Sequence, residues 1–443
     1  MPSKKHPIRQ VAEKPIFKSP DPSSTDTRSS GPHRKKLTGR VLVQLDPSAS
    51  TTDISKKART RSLRLIPLHA LPPGHLNEGL EKADGIIFER LKVALVNERS
   101  AGVLKQLQAL RNTPFLSIEP ERYIYARAGV RKELPFKDTA SATWGIQATN
   151  VRKSRFTGKD VRLAILDTGF DFTHPDFMGR VIHRKSFVGR QAKDREGHGT
   201  HCAGIAGGNR ATVDAGPTKA LKAKAGVRYG VAPDARLYIG KILNDEGEGS
   251  DGLALAGIEW ALEQGCRVVS MSFGAQVEKG DKHSVIFEEV AKIALDNNCL
   301  LIAATGNESD REEGIIAPVN HPANCPSVMA VGALTEHLKI ANYSCATVGR
   351  SGGVRSGGQS IRSGGQVDIA APGDDIFSAW IDGGHEVESG TSMAAPFVAG
   401  VAALLWEQYP DVTAREIWEK LIGQVRKLGL RTVGAGAGLV YVP

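Results

Sequence analysis

The chain has few cysteines for its length, five in 443 residues, and an odd number cannot all pair within one chain. A disulfide framework built from Cys202, Cys266, Cys299, Cys325 and Cys345 is therefore not expected, with a single bridge such as Cys299 to Cys325 left open. The chain also lacks any apolar run near the roughly 18 to 20 residues of a membrane span, so neither a bilayer crossing nor a membrane partner is expected. The positively charged start Met1-Pro2-Ser3-Lys4-Lys5-His6-Pro7 has no apolar segment behind it. That pattern excludes a standard secretory leader and points to the cytoplasm, or to export by a non-standard route.

Acidic residues are scarce in two places. Residues 1–40 carry ten Lys and Arg against three Asp and Glu, and much of the net charge of +10 sits there. The stretch is rich in Pro and Ser and poor in large apolar side chains, so residues 1–38 are expected to be a disordered basic tail. Phe17 is the one Phe, Tyr or Trp among its charges, short of the interleaved aromatics that single-strand binding requires, and a nucleic-acid partner is not expected. The second place is the repeat Arg350-Ser351-Gly352-Gly353, Arg355-Ser356-Gly357-Gly358, Arg362-Ser363-Gly364-Gly365. It reads first as a flexible linker, and second as a cationic loop touching acidic residues of a partner.

The 40% apolar residues suffice for a large core, and the length suits one large domain with a smaller one. In residues 39–126, strand patterns at 39–45, within 85–96 and at 115–126, with an amphipathic helix at 101–111, fit a small ferredoxin-like α+β domain. Residues 127–143 form a polar connection. From 144 to 443, apolar strands at 163–166, 237–243, 267–271, 300–304 and 328–332 alternate with helices at 253–264, 285–297, 391–408 and 414–424. That order predicts an α/β core whose parallel sheet is covered by helices on both faces. In open sheets of this kind ligands collect at the carboxyl ends of the strands, where Asp167, Ser272-Phe273-Gly274 and Gly306-Asn307 fall.

Three polar islands stand in apolar surroundings: Asp167 after Leu163-Ala164-Ile165-Leu166, His198 in Gly197-His198-Gly199-Thr200-His201, and Ser392 at the entrance of an all-apolar helix. A helix N-terminus offers unpaired amides and a positive dipole end, which favours negative charge developing near the Ser392 oxygen. Taken singly, each has a bland alternative, a helix-capping Asp or a loop His. In chain order they read Asp, His, Ser, one of the orders in which a nucleophilic triad occurs. His201 is expected to pack and hydrogen-bond. A zinc site from His198 and His201 lacks the Glu of a HExxH arrangement, and no metal ligand is assigned.

Asp167-Thr168-Gly169, His198-Gly199-Thr200-His201-Cys202-Ala203-Gly204 and Gly390-Thr391-Ser392-Met393-Ala394-Ala395-Pro396 resemble the three signature blocks of the subtilase family of serine proteases, as do Val231-Ala232-Pro233-Asp234-Ala235 and Ser270-Met271-Ser272-Phe273-Gly274. The resemblance runs from about Trp144 to about Tyr409. It implies a subtilisin-like serine endopeptidase, with Asp167, His198 and Ser392 catalytic and Asn307 in the oxyanion hole. Ser272, Phe273 and Gly274 would pair with an extended polypeptide substrate, and residues around Ala304 to Asn307, Gly306 among them, would line the pocket for the side chain before the cleaved bond. Glu308 either gives that pocket a taste for basic side chains or points elsewhere.

The resemblance also casts the small domain as an inhibitory propeptide, an intramolecular partner removed by self-cleavage within 127–143. Its alternative is a permanent accessory domain. No cofactor is expected to be required. The basic insertion 209–228 occupies the region where several relatives form a calcium loop, which puts bound structural calcium in question. Cys202 is expected to pack beneath His198 and to be vulnerable to thiol reagents. The competing function is a regulated protein-binding module without turnover, which a casein digest would separate from a protease.

Overall fold

The computed structural model describes residues 37–110, 112–126, 138–212, 225–348, 354–356, 359–361 and 364–443. The basic tail, most of the connection after Ala126, the middle of the 209–228 insertion and part of the Arg-Ser-Gly-Gly repeat lie outside them. The first described segment runs β1 (Leu37–Leu45), α1 (Thr51–Arg59), β2 (Leu65–Pro67), α2 (Leu76–Lys82), β3 (Gly85–Phe88), β4 (Val93–Val96), α3 (Ala101–Gln108) and β5 (Phe115–Ala126). Strand β1 lies between β4 and β5, and β3 pairs with β4, all antiparallel. With helices after β1 and β4, this is the β-α-β-β-α-β order of a ferredoxin-like unit. The short β2, added parallel to β3 at the sheet edge, extends it.

Alternation along these strands sends side chains to two different cores. Val43, Leu45, Ile87, Ala94 and Val96 pack with Ile54 and Ala58 of α1 and Leu104 and Leu107 of α3. Leu42, Ile86, Phe88, Val93 and Leu95, from the opposite face, pack into the larger part of the chain. Leu42, Phe88 and Leu95 have no exposed surface, and each such side chain contributes roughly 1.5–3 kcal/mol relative to leaving it in water. The small unit is thus docked through a second apolar face, and residues 36–443 form one compact body.

That larger part runs α4 (Trp144–Ala148), β6 (Arg162–Asp167), β7 (His183–Ser186), α5 (His198–Gly207), β8 (Arg236–Lys241), β9 (Glu248–Ser250), α6 (Asp251–Glu263), β10 (Val268–Met271), β11 (Phe273–Gly274) and α7 (Val285–Asp296). It continues with β12 (Leu300–Ala304), β13 (Met329–Leu334), β14 (Val354–Ser356), β15 (Gln359–Ile361), β16 (Ile369–Pro372), β17 (Ile376–Ala379), β18 (His385–Glu388), α8 (Thr391–Gln408), α9 (Ala414–Gly423) and α10 (Thr432–Ala435). Seven strands in the order β16-β13-β12-β10-β6-β8-β7 make one parallel sheet. Leu163 and Ile165 of β6 face α5 and α8, while Ala164 and Leu166 face α6 and α7. Helices therefore cover both faces, as the alternation of apolar segments requires.

The repeat expected to be a linker contributes β14 and β15, which pair as an antiparallel hairpin from Val354↔Ile361 to Ser356↔Gln359. All five cysteines are buried free thiols, so Cys299 and Cys325 are not bridged. Among the described residues, no helix is long and apolar enough to cross a membrane.

Candidate active site

Three strand ends bring the site together. Asp167 is the last residue of β6, Ser272 follows β10, and Gly306-Asn307 follow β12. Helices α5 and α8 deliver His198 and Ser392 from their first turns. Asp167 Oδ1 accepts hydrogen bonds from Thr168 N at 2.7 Å and from His198 Nδ1 at 2.7 Å, with both side chains buried. Burial opposes charge on the His198 ring, yet the adjoining Asp167 carboxylate outweighs it and holds the imidazole pKa well above its ordinary 6.5. With Nδ1 given to Asp167, Nε2 is the free edge of the ring, and no hydrogen bond reaches it.

The α5 N-terminus is tightly determined. Gly197 precedes His198 with φ of +115°, and a Cβ there would lie 2.3 Å from the Trp380 ring, so only glycine fits. Asp194, which the sequence reading did not single out, accepts from Gly197 N at 2.9 Å, Thr200 N at 2.8 Å and Thr168 Oγ1 at 3.0 Å. It caps α5 and ties the Asp167 and His198 blocks together. The sequence signal was available: an Asp a few residues ahead of an apolar helix.

Ser392 enters α8, whose residues Thr391 to Trp406 are all buried. Pro396 has no N–H, so the Ser392 carbonyl loses its helical donor four residues on. That carbonyl instead accepts Ser272 Oγ at 2.7 Å and Cys202 Sγ at 3.5 Å. The Ser392 hydroxyl donates to the Ser272 carbonyl at 3.0 Å rather than to His198. Asn307 Oδ1 accepts from Thr391 N at 2.9 Å and Thr391 Oγ1 at 2.8 Å. This fixes the amide plane with its NH₂ group as the donating end, beside the start of α8. Ser272, Phe273, Gly274 and Gly306 are all buried around this point.

His201 is apart from this chemistry. Its Nε2 lies against the carbonyls of Ile376 at 3.0 Å and Glu386 at 3.2 Å, and burial lowers its pKa to about 3, so it is neutral. Cys202 Sγ is 3.9 Å from His198 Nδ1, and burial pushes its thiol up, which keeps it an S–H at neutral pH.

The last strand of the small unit runs into the site. In antiparallel register, β5 places Tyr125 opposite Gly274 and Ala126 opposite Phe273, with Tyr123 to Tyr125 pairing β9 on the other side. An extended segment thus fills the slot between two edge strands. Two acids of β5 hold it there. Glu121 Oε1 accepts Gly252 N at 2.8 Å in the first turn of α6, and Glu119 Oε1 accepts Ile286 N at 2.7 Å in the first turn of α7. Neither acid was flagged by sequence reasoning, because the helices they cap are more than a hundred residues away.

Two clusters among the described residues bring three potential metal-ligating atoms within 4.8 Å: Asp167, His198 and Cys202, and His174, Asp176 and His385. Neither is the all-oxygen set that calcium takes. Asp176, the described carboxylate at the root of the 209–228 insertion, is already engaged by Thr212, Tyr229 and His385 at 2.7 to 2.8 Å. These residues do not fit a calcium cage.

A parallel α/β sheet with Asp167 at a strand end and His198 and Ser392 at two helix entrances agrees with a hydrolytic enzyme of the serine-endopeptidase class. Residues 158–438 match the model of the subtilase family, and the chain belongs to that family. It is 33% identical over 329 residues to a subtilisin of Bacillus sp. (strain TA39), covering 70% of this chain and 73% of that protein. It is 32% identical over 296 residues to an intracellular serine protease of Paenibacillus polymyxa, covering 64% and 80%. Among solved structures, sphericase superposes with a TM-score of 0.57 at 28% identity, over 68% of this chain and 98% of that one.

Proposed function

We propose that the serine endopeptidase works through Ser392 as nucleophile, His198 as general base, Asp167 as its orienting partner and Asn307 in the oxyanion hole, and that the small N-terminal unit is its own inhibitory substrate. The observation that carries this reading is the buried 2.7 Å pair of His198 Nδ1 and Asp167 beside a serine hydroxyl at a helix N-terminus. Attack requires that hydroxyl to turn from the Ser272 carbonyl to His198 Nε2. The Ser392 oxygen then bonds to the substrate carbonyl carbon while its proton passes to Nε2, and the imidazolium is stabilised by Asp167. The carbonyl oxygen becomes an oxyanion that accepts from the Asn307 amide and Ser392 N–H. As the C–N bond breaks, Nε2 returns the proton to the leaving amine. Water, deprotonated by the same ring, releases the acyl group. Every group in the cycle comes from the chain, and no cofactor is needed.

A fluorophosphonate tests the assignment directly, since it should attach to Ser392 and to no other residue. Its rate should rise with pH through a midpoint above 6.5, because only neutral His198 accepts a proton and Asp167 holds the protonated form to higher pH. Labelling elsewhere, or a midpoint below 6.5, would count against it. Asn307→Ala should lower kcat by about 10²–10³ with little change in KM, since its amide acts on charge that forms only in the transition state. An equal loss spread over KM would point to a ground-state role.

The docked β5 strand supports autoprocessing. Its last described residue, Ala126, lies opposite Phe273, one residue from the Ser272 carbonyl that accepts the Ser392 hydroxyl, so the chain approaches the proposed nucleophile as an extended segment.

A further inference from the structure

We infer that Lys241, a buried cation that no step of the proposed cycle uses, is a positioning residue for the triad: its ammonium holds the turn after β6 that aims the Asp167 carboxylate at His198. The inference rests on the triad assignment above. Leu163 and Ile165 of β6 and Leu237 and Ile239 of β8 all pack on the α5 side of the sheet, so Asp167 and Lys241, each two residues further on, leave their strands on that same face. The parallel register sets them directly opposite one another. Lys241 is buried there, its side chain only 5% exposed. An ammonium is costly to desolvate, and a methionine would fill the same space without that cost, so the charge is to be explained by what it binds.

Its Nζ donates to the Thr168 carbonyl and, at 2.8 Å, to Asp245 Oδ1. Thr168 is where the parts of the site meet. Its N–H donates to Asp167 Oδ1, the oxygen that also accepts from His198 Nδ1, both at 2.7 Å. Its Oγ1 accepts from Gly199 N at 2.8 Å and donates to Asp194 Oδ1 at 3.0 Å. Two consecutive peptide planes of this turn are anchored to the end of β8. In the first, the Asp167 carbonyl accepts from Ile242 N at 2.9 Å and Leu243 N at 3.1 Å, so backbone amides hold it. In the second, the Thr168 carbonyl is held by the Lys241 side chain. Directly after it the chain is tightly confined, since Gly169 has φ of +121° and a Cβ there would lie 2.5 Å from the Ala192 carbonyl oxygen. An apolar side chain in place of Lys241 takes this donor from a buried carbonyl, which favours rotation of the turn toward another. Such a rotation carries Thr168 N with it, and Asp167 Oδ1 then loses one of the two donors that set its plane. The other end of the contact lies at the surface. Asp245 is 40% exposed, in the loop that Asn244 N closes onto the Glu248 carbonyl at 2.8 Å, and Glu248 opens the strand β9 that pairs with β5. Lys241 thus joins the edge that an extended chain occupies to the acid of the triad.

The test compares kcat and KM of the Lys241→Met, Asp167→Ala and Asn307→Ala proteins, and of the two doubles that combine Lys241→Met with each of the others. All are made as the full chain and treated with immobilised wild-type enzyme, so that every variant has the same N-terminus, and Ser392→Ala protein treated alike gives the background. Lys241→Met should lower kcat about ten- to hundredfold and leave KM within about twofold, the effect of a displaced catalytic group. Added to Asp167→Ala it should cost less than about twofold, because the group it positions is gone; added to Asn307→Ala it should keep its full loss of about tenfold or more. Lys241→Arg, whose guanidinium can donate to the same carbonyl, should restore part of kcat. A loss caused by poor folding would instead appear in every background. An unchanged kcat in Lys241→Met, or an equal loss beside Asp167→Ala, overturns the inference. If Asp167→Ala by itself costs little, the triad assignment fails first; a large Asp167→Ala loss with an unaffected Lys241→Met defeats the positioning role alone.

Discussion

Ser392→Ala should reduce kcat by about 10⁶, the size found for the corresponding group in subtilisin, a relative of this chain. His198→Ala should cost as much, and the double variant scarcely more, because a nucleophile without its base and a base without its nucleophile are equally idle. Asp167→Asn should cost about 10⁴ by leaving His198 in the wrong tautomer. Steady-state kinetics on casein-derived peptides measures all four. Losses of the two single alanine variants that multiply in the double variant would mean the residues act independently, which contradicts the shared proton path. The Ser392→Ala protein should also accumulate uncleaved, with the small unit still attached. If wild type stays full length while digesting casein, the small unit is a permanent part of the enzyme.

The second large effect concerns release of that unit. Glu121 is fully buried between Gly252 N of α6 and the Arg40 guanidinium, whose Nε lies 2.5 Å from its other oxygen. Glu121→Ala leaves the Arg40 charge and a helix terminus without their partner, and such losses cost 2–5 kcal/mol, or roughly 30- to several-thousand-fold in affinity. After self-cleavage, the small unit of this variant should leave faster and the lag before full activity should shorten. Release should also respond to pH. With the small unit docked, burial raises Glu259 to about 7, although it accepts Arg90 N at 2.9 Å and Leu91 N at 3.1 Å. A carboxyl raised on docking favours the complex at low pH, and that advantage is lost as pH climbs from the ordinary 4.5 through about 7. Dissociation should therefore be faster at pH 8 than at pH 6, and Glu259→Gln should flatten the difference. A pH-independent rate in wild type would remove Glu259 from the release step.

Much of this protein was legible locally. The helix Thr391–Gln408 and the strand Phe115–Ala126 coincide with their apolar patterns, because each pattern repeats within the few residues that share one turn or one pleat. Asp167, His198 and Ser392 stood out as polar residues in apolar runs. Among the elements missed were β7 and β16 of the main sheet and, in the small unit, α1, α2 and β2. In α1, only Ile54 and Ala58 are buried amid Lys and Arg, a stripe too thin to read, and β2 has three residues. These form because the small unit's sheet offers them a surface.

What the sequence alone determined was which residues are candidates for the chemistry and where most strands and helices of the core fall, since both depend on near neighbours. Only the tertiary structure decided the rest. Pro396 frees a carbonyl that Ser272 and Cys202 then occupy, Asp194 joins two blocks, Asn320 turns Glu308 toward Gly306, and Glu119 and Glu121 cap helices of another unit. Glu121 and Gly252 are 131 residues apart in the chain, and no periodicity couples positions at that distance. They meet because the second apolar face of the small unit can be removed from water only against α6 and its neighbours, and the polar groups carried along must find partners where that burial leaves them.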